Sequence, residues 1–256
     1  MIDLHCHILP GVDDGAASDE ESCMMAQIAV DSGVRIVTAT PHCNLRGYFD
    51  NYLTEQLRER FLHLNRLFKA HDIPLGLRAG MEIYMTPEVP RLLREKRLLT
   101  LGGSRYLLVE FDFDGSFTWA CRMLHGVEEQ NVVPVVAHPE RYRFIQEEPE
   151  RLFEWLEAGY VLQLNKGSFF GRFGRQAART AHWCLREGCV HAIGSDAHSP
   201  YQRTPRLSDI HAYISEVASP AAADALLEHN PARILRDKPV RPVRPDFNSE
   251  FGEDRE

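Results

Sequence analysis

Val190-His191-Ala192-Ile193-Gly194-Ser195-Asp196-Ala197-His198 is an apolar run that ends in a carboxylate and an imidazole two residues apart. Continued as a β-strand, it points Asp196 and His198 to one face and turns Ala197 to the other. The chain opens on the same device, Ile2-Asp3-Leu4-His5-Cys6-His7, with two imidazoles at that spacing. Imidazole nitrogen beside carboxylate oxygen is a donor pairing that borderline divalent metals accept.

Outward from these ends the same unit recurs: a short apolar strand, a polar residue at its end, a loop, then an amphipathic helix. Strands are expected at Ile2–His5, Val34–Thr40, Leu75–Met81, Tyr106–Val109, Val132–Ala137, Tyr160–Leu164 and Val190–Ser195. They deliver His5 and His7, His42, Glu82, Glu110, His138, Asn165, and Asp196 with His198. The first helix starts at Ser18 as N-cap, with Glu21 three residues on, a capping box, and runs to Ser32 before Gly33. A long helix is expected over about Tyr52–His71, with leucines and phenylalanines three and four residues apart. In a parallel barrel every strand C-terminus opens on one face, and that face carries the chemistry. An open doubly wound sheet would scatter the same ends along an edge. The expected fold is therefore α/β, a single-domain barrel of seven βα units over residues 1–238. From Pro239 the composition turns to Arg-Pro-Val-Arg-Pro and then to polar and acidic residues, so 239–256 is expected to be a disordered tail.

Bulk composition narrows the function. A chain of 256 residues, 44% hydrophobic, can bury one large core. No run of eighteen apolar residues is present, which excludes membrane insertion by a helix, and the N-terminus has no secretory leader. A net charge of −8 argues against nucleic acid as the main partner. The six cysteines form no CxxC pair, which points to reduced thiols and a cytoplasmic location. None is followed by arginine after five intervening residues, so a thiolate phosphatase loop is excluded.

The candidate metal ligands are His5, His7, Asp14, His42, Glu82, Glu110, His138, Asp196 and His198. Singly, each has an ordinary structural explanation, since a histidine at a strand end is usually just hydrogen-bonded. Jointly they converge on one barrel rim, with Asp14 and His42 in the loops after strands one and two. Nine donors exceed the coordination of one ion and suit two or three divalent ions sharing a carboxylate. Nitrogen and oxygen donors without thiolate fit manganese, iron or zinc. Cys43, beside His42, is read as a bystander. Arg141, in His138-Pro139-Glu140-Arg141, and Arg203, five beyond His198, offer guanidinium forks for phosphate oxygens; the competing explanation is a rim salt bridge to Glu140 or Asp114. His63, His71, His125, His182, His191 and His229 are read as structural, and Phe169, Phe170 and Phe173 either line the site mouth or pack a loop.

His5-x-His7, Asp13-Asp14-Gly15, Thr40-Pro41-His42, Gly80-Met81-Glu82-Ile83-Tyr84, Glu110, His138-Pro139-Glu140-Arg141 and Ser195-Asp196-x-His198 together resemble the polymerase and histidinol phosphatase (PHP) superfamily. Within it, His7-Ile-Leu-Pro-Gly-Val-Asp-Asp-Gly15 and Glu82-Ile-Tyr-x-Thr-Pro87 are similar to the bacterial protein tyrosine phosphatases of capsule and exopolysaccharide operons. The resemblance covers about residues 1–238. It implies a distorted (β/α)7 TIM-like barrel and a trinuclear, manganese-dependent centre. One ion would take His5, His7, Glu82 and Asp196. A second would share Glu82 and add Glu110 and His138, and a third would take Asp14, His42 and His198. Other superfamily members often carry histidine where Asp14 and Glu110 stand here. Arg141 and Arg203 match phosphate-binding arginines of the branch.

The chemistry expected is hydrolysis of a phosphomonoester by a hydroxide bridging two ions, with the arginines offsetting charge on the phosphoryl oxygens. The implied partner is phosphotyrosine on a polysaccharide-regulating tyrosine kinase. The alternatives are a small-molecule phosphatase like histidinol phosphatase, and a non-catalytic metal-dependent regulator that binds phosphoprotein.

Overall fold

The structure, a computed structural model, describes residues 1–245. Nine strands occur in it: β1 Ile2–Cys6, β2 Ile36–Ala39, β3 His42–Cys43, β4 Gly76–Ala79, β5 Glu82–Tyr84, β6 Tyr106–Glu110, β7 Val133–Ala137, β8 Val161–Asn165 and β9 Ala192–Gly194. They pair in parallel in the orders β1-β2-β4 and β3-β5-β6-β7-β8-β9.

The two sheets are one interrupted ring. Pro41 has no N–H to give a ladder and ends the second expected strand as β2, and pairing resumes beyond it in the short β3. The third expected strand ends early as β4, and a further short strand, β5, follows Gly80-Met81, which makes Glu82 the first residue of a strand and not the residue after one. Hydrogen bonds carry the pairing across both breaks, from Gly80 N to Ala39 O at 3.0 Å and from Glu82 N to Pro41 O at 3.1 Å. The ring closes where Cys6 bridges Ala197, with Asp196 N donating to His5 O at 2.9 Å and His7 N to Ala197 O at 2.8 Å. Seven strand positions therefore make a distorted α/β barrel, and its last bonds join the first and last motifs of the sequence.

The helices follow the sequence closely. Ser18 caps the helix Asp19–Asp31 by accepting from Glu21 N, and the Glu21 carboxylate accepts from Ala17 N at 2.9 Å. The long helix begins later than expected, at Glu55 behind the N-cap Thr54. Residues 52 and 53 are committed elsewhere: Leu53 N donates to Arg97 O at 2.8 Å and the Tyr52 hydroxyl to Asn44 Oδ1 at 2.8 Å. Leu57, Phe61, Leu64 and Phe68 form its buried stripe.

Alternation along the strands makes two cores. Tyr106 and Leu108, Val135 and Ala137, Val161 and Ala192 pack with Ile2 and Leu4 inside the ring. Their neighbours Leu107, Val109, Val136, Leu162 and Ile193 pack outward under the helices. Truncating such a buried aliphatic side chain to alanine costs about 2–5 kcal/mol, so both layers fix the register that aims the strand ends. Arg241 and Val243, beyond residue 238, touch the barrel. Val243 pairs antiparallel with Val190, and Arg241 O accepts from Asn230 Nδ2 at 2.9 Å. The remainder of the expected tail, 246–256, lies outside the described residues. All six cysteines are free thiols, and among the described residues no helix is long and apolar enough to cross a membrane.

Candidate metal and active site

The strand ends of the ring carry their polar residues to one cleft of about 340 Å³. Two of them are turned there by backbone rather than by strand alternation. His138, after β7, has φ 35°, and Asp196, after β9, has φ 49°. Left-handed backbone costs a residue with a Cβ about 1 kcal/mol or more, and such outliers cluster at functional sites. Backbone bonds hold both turns: His138 N donates to Gln163 O at 2.7 Å, as Asp196 N does to His5 O.

His5, His7, Glu82 and Asp196 form the deepest group, each 2% exposed or less. His5 Nδ1 faces Gln163 Oε1 at 2.8 Å and His7 Nδ1 faces Asp13 Oδ2 at 2.7 Å. Both partners are acceptors, so the ring protons sit on Nδ1 and each Nε2 keeps its lone pair. Those two Nε2 atoms lie 3.2 Å apart, and 3.1 and 3.2 Å from Glu82 Oε2. Asp196 Oδ1 is 3.5 and 3.6 Å from them. Glu82 Oε2 is buried with no hydrogen-bond donor. Four electron-pair donors at about 2.1 Å from one centre stand about 3.0–3.4 Å apart in octahedral or tetrahedral array. The spacings among the two imidazoles and Glu82 match that, with Asp196 Oδ1 slightly farther out. The residues fit a divalent cation.

A second group shares Glu82. His42 Nδ1 lies 3.1 Å from Glu82 Oε2 and 2.9 Å from Glu110 Oε1. His138 Nε2 is 2.9 Å from Glu82 Oε1 and 4.0 Å from Glu110 Oε2. The third group collects Asp14, whose Oδ1 is 3.6 Å from His42 Nε2 and 3.4 Å from His198 Nε2, with the His7 ring against His198 at 3.9 Å. His42 thus uses one nitrogen in each of two groups. All nine sequence-derived ligand candidates converge. Cys43 is buried in the core, its thiol pushed up to about 12 chiefly by burial, and belongs to none of the groups.

The electrostatics show the same demand for positive charge. Burial favours a protonated Glu82, yet the surrounding imidazoles, His5 and His42 first, hold its carboxyl well below the usual value. Burial and the Glu82 charge push Glu110 up. His42 is raised to about 9 against its own burial, by the Glu82 charge foremost. His138 falls to about 4 through burial and the neighbouring Arg141.

Both arginines reach the cleft, and neither makes the rim salt bridge that competed for Arg141. Asp114 pairs with Arg143 at 2.9 Å, and Glu140 is buried, accepting from Asn165 N at 3.0 Å and the Ser168 hydroxyl at 2.6 Å. Arg141 Nη1 and Arg203 Nη2 meet instead on Asp196 Oδ2, at 3.3 and 2.5 Å. The Phe173 ring lies 4.1 Å from the Arg141 guanidinium and 5.5 Å from that of Arg203.

Sequence reading assigned no role to Asp13 or Gln163, and placed Asn165 at the rim without a partner. Asp13 orients His7 and also accepts from His42 N at 2.9 Å; Gln163 orients His5; Asn165 Nδ2 donates to Asp196. Gln163 and Asn165 had a signal, because two amides on one face of the buried strand Val161-Leu162-Gln163-Leu164-Asn165 need partners. Asp13 had only its adjacency to Asp14.

Comparison with known proteins agrees with this geometry. The family model described as "Capsular polysaccharide synthesis, CpsB/CapC" matches residues 1–236. The tyrosine-protein phosphatase YwqE of Bacillus subtilis is 35% identical over 249 residues, covering 95% of this chain and 97% of that protein. The tyrosine-protein phosphatase CpsB of Streptococcus pneumoniae is 31% identical over 243 residues, covering 93% and 99%. A crystal structure from work on YwqE and CpsB, described there as unique metal-dependent tyrosine phosphatases, superposes with a TM-score of 0.85 at 34% identity over 97% of this chain and 100% of that one. The lactonase Lmo2620 of Listeria monocytogenes, at 11% identity and a TM-score of 0.62 over 91% and 94% of the two chains, shares the fold alone. With the family model spanning nearly the whole barrel and both relatives matched end to end, the chain belongs to the capsular polysaccharide synthesis family CpsB/CapC.

Proposed function

We propose that this chain is a metal-dependent protein tyrosine phosphatase, a phosphomonoester hydrolase, that acts in the cytoplasm on a phosphotyrosine protein of capsule or exopolysaccharide synthesis. The kinase that regulates that synthesis is the proposed substrate, and manganese the proposed metal. One observation carries the reading: nine nitrogen- and oxygen-bearing side chains converge in a cleft that two guanidinium groups also face. The relatives' printed activities support it.

The residues divide the work. His5, His7, Glu82 and Asp196 would hold one ion, Glu82 with Glu110, His42 and His138 a second, and Asp14, His42 and His198 a third. Ions bound there supply Lewis acidity toward phosphoryl oxygens and lower the pKa of water. Asp13 and Gln163 fix the tautomers of His7 and His5, which keeps both Nε2 lone pairs aimed inward. Arg141 and Arg203 stand where they can take the outer phosphoryl oxygens in forked hydrogen bonds. A tyrosyl leaving group, with a pKa of about 10, departs with less protonation than a serine alkoxide requires.

The test is hydrolysis of a phosphotyrosine peptide and of histidinol phosphate by protein supplied with manganese, before and after chelator. Chelator-sensitive turnover with the peptide strongly preferred is the expected result. Preference for histidinol phosphate would replace the substrate assignment, and turnover that survives chelation would end the metal mechanism.

A further inference from the structure

Two phenyl rings, Phe49 and Phe113, flank the cleft without belonging to the ligand groups. Phe113 remains 40% exposed, although a large apolar ring at a functional mouth has every reason to be covered. It rests against the His138 ring at 5.8 Å, with the Arg141 guanidinium 4.5 Å above its centre. Phe49, half-buried, lies flat on His42 at 5.6 Å and 12° between planes. Both line the cleft of the candidate metal groups.

Each ring is held by backbone rather than left on a loose loop. Leu45 and Phe49 exchange hydrogen bonds, Leu45 N to Phe49 O at 3.1 Å and Phe49 N to Leu45 O at 2.8 Å. The preceding Asn44 ties this turn to the next strand through Tyr84 O at 2.8 Å. On the other side Arg143 N donates to Phe113 O at 2.8 Å, and the Arg143–Asp114 ion pair fastens the neighbouring residue. Phe111 N, two residues back, donates to the Tyr142 hydroxyl, which donates in turn to Ala137 O.

We infer that Phe49 and Phe113 are specificity-determining residues that select an aryl leaving group. The inference rests on the phosphatase reading above and names what that site prefers. The two imidazoles under these rings both reach Glu82, His42 at 3.1 Å and His138 at 2.9 Å, so the rings stand over opposite partners of one carboxylate. A phosphoryl group held by the arginines and by cations on the ligand side chains would have its ester oxygen free to extend toward the rings that line the same cleft. A phenyl ring there meets apolar faces and edges at stacking range, whereas the single methylene of a serine ester stops short of them. Selection of aryl over alkyl esters then comes from binding as well as from leaving-group pKa.

The experiment separates those contributions with phosphonates, which bind and do not react. Phenylphosphonate and methylphosphonate are titrated calorimetrically into manganese-supplied wild type, Phe49→Ala, Phe113→Ala and Phe113→Leu. The expected result is about tenfold weaker phenylphosphonate binding in each alanine variant, with methylphosphonate changed less than about twofold and Phe113→Leu in between. Equal weakening of both ligands would overturn the inference, because the rings would then be acting through Arg141 or the ligand imidazoles. Unchanged phenylphosphonate binding would overturn it as well. Thermal melts of each variant show whether the barrel is intact, and Phe49→Ala decides the question if Phe113→Ala does not fold. A wild type that hydrolyses no aryl phosphate would sink the phosphatase reading itself, and the inference with it.

Discussion

His191 offers a clean quantitative test of the barrel, away from the metal groups. It is 4% exposed, its Nδ1 accepts from Leu162 N at 3.1 Å, and burial alone lowers its pKa from 6.5 to about 4. The imidazole is therefore neutral in the folded protein at pH 5, while in the unfolded chain it is protonated. Between pH 6.5 and 4 the unfolded state binds more protons, so stability falls as pH falls, and the contribution is complete only above pH 6.5. One pKa unit corresponds to about 1.4 kcal/mol, so the full difference is about 3 kcal/mol, of which about 2 is lost by pH 5. Urea denaturation of wild type and His191→Asn at pH 7.5 and pH 5.0, both in chelator, measures it. Asparagine keeps an acceptor for Leu162 N and cannot titrate, so the gap between the two proteins should shift by about 2 kcal/mol in the variant's favour at pH 5. Parallel stability curves across that range would refute the reasoning, since His191 would then be protonated as easily folded as unfolded.

Three further outcomes are expected. Glu82→Gln preserves shape but removes the charge that two groups share, and should lower manganese-dependent turnover of an aryl phosphate at least about a hundredfold; near-normal rates would dismiss Glu82 as a ligand. Manganese at about 100 times its dissociation constant should stabilise the fold by about 2.7 kcal/mol, roughly 5–10 °C in melting temperature for a chain of this size, and chelator should reverse the shift in calorimetry. Gly15→Ala would place a Cβ 2.1 Å from His7 O and 2.5 Å from His7 Cβ, so the loop carrying Asp14 must move; manganese affinity should drop while the far-ultraviolet circular dichroism stays unchanged.

Much of the site could be read from the chain because its donors sit at strand ends, where local apolar runs announce themselves. The triplets His5-Cys6-His7 and Asp196-Ala197-His198 carried residue type and facing together. Their geometry was less simple than alternation implies. β1 has a register irregularity between Asp3 and Cys6, and Asp196 enters the cleft through left-handed backbone. The sequence ended strand two before Pro41 and strand three at Met81, so it missed the short strands His42–Cys43 and Glu82–Tyr84, which only pairing with their neighbours across the ring defines. Arg141 was legible as a cleft residue. Its partner was not, because Glu140 and Asp114 are nearer in sequence than Asp196, which lies 55 residues away.

The sequence by itself determined the α/β alternation, the donor types and the rim on which they gather, because hydrophobic periodicity and residue chemistry are local properties. Only the tertiary structure decided which donors share a centre, that Asp13 and Gln163 hold the imidazole tautomers, and that Phe49 and Phe113 flank the cleft. Those facts depend on distances across the barrel of a few ångströms, set by ring closure at Cys6 and Ala197 and by the packing of both cores, which no single segment contains.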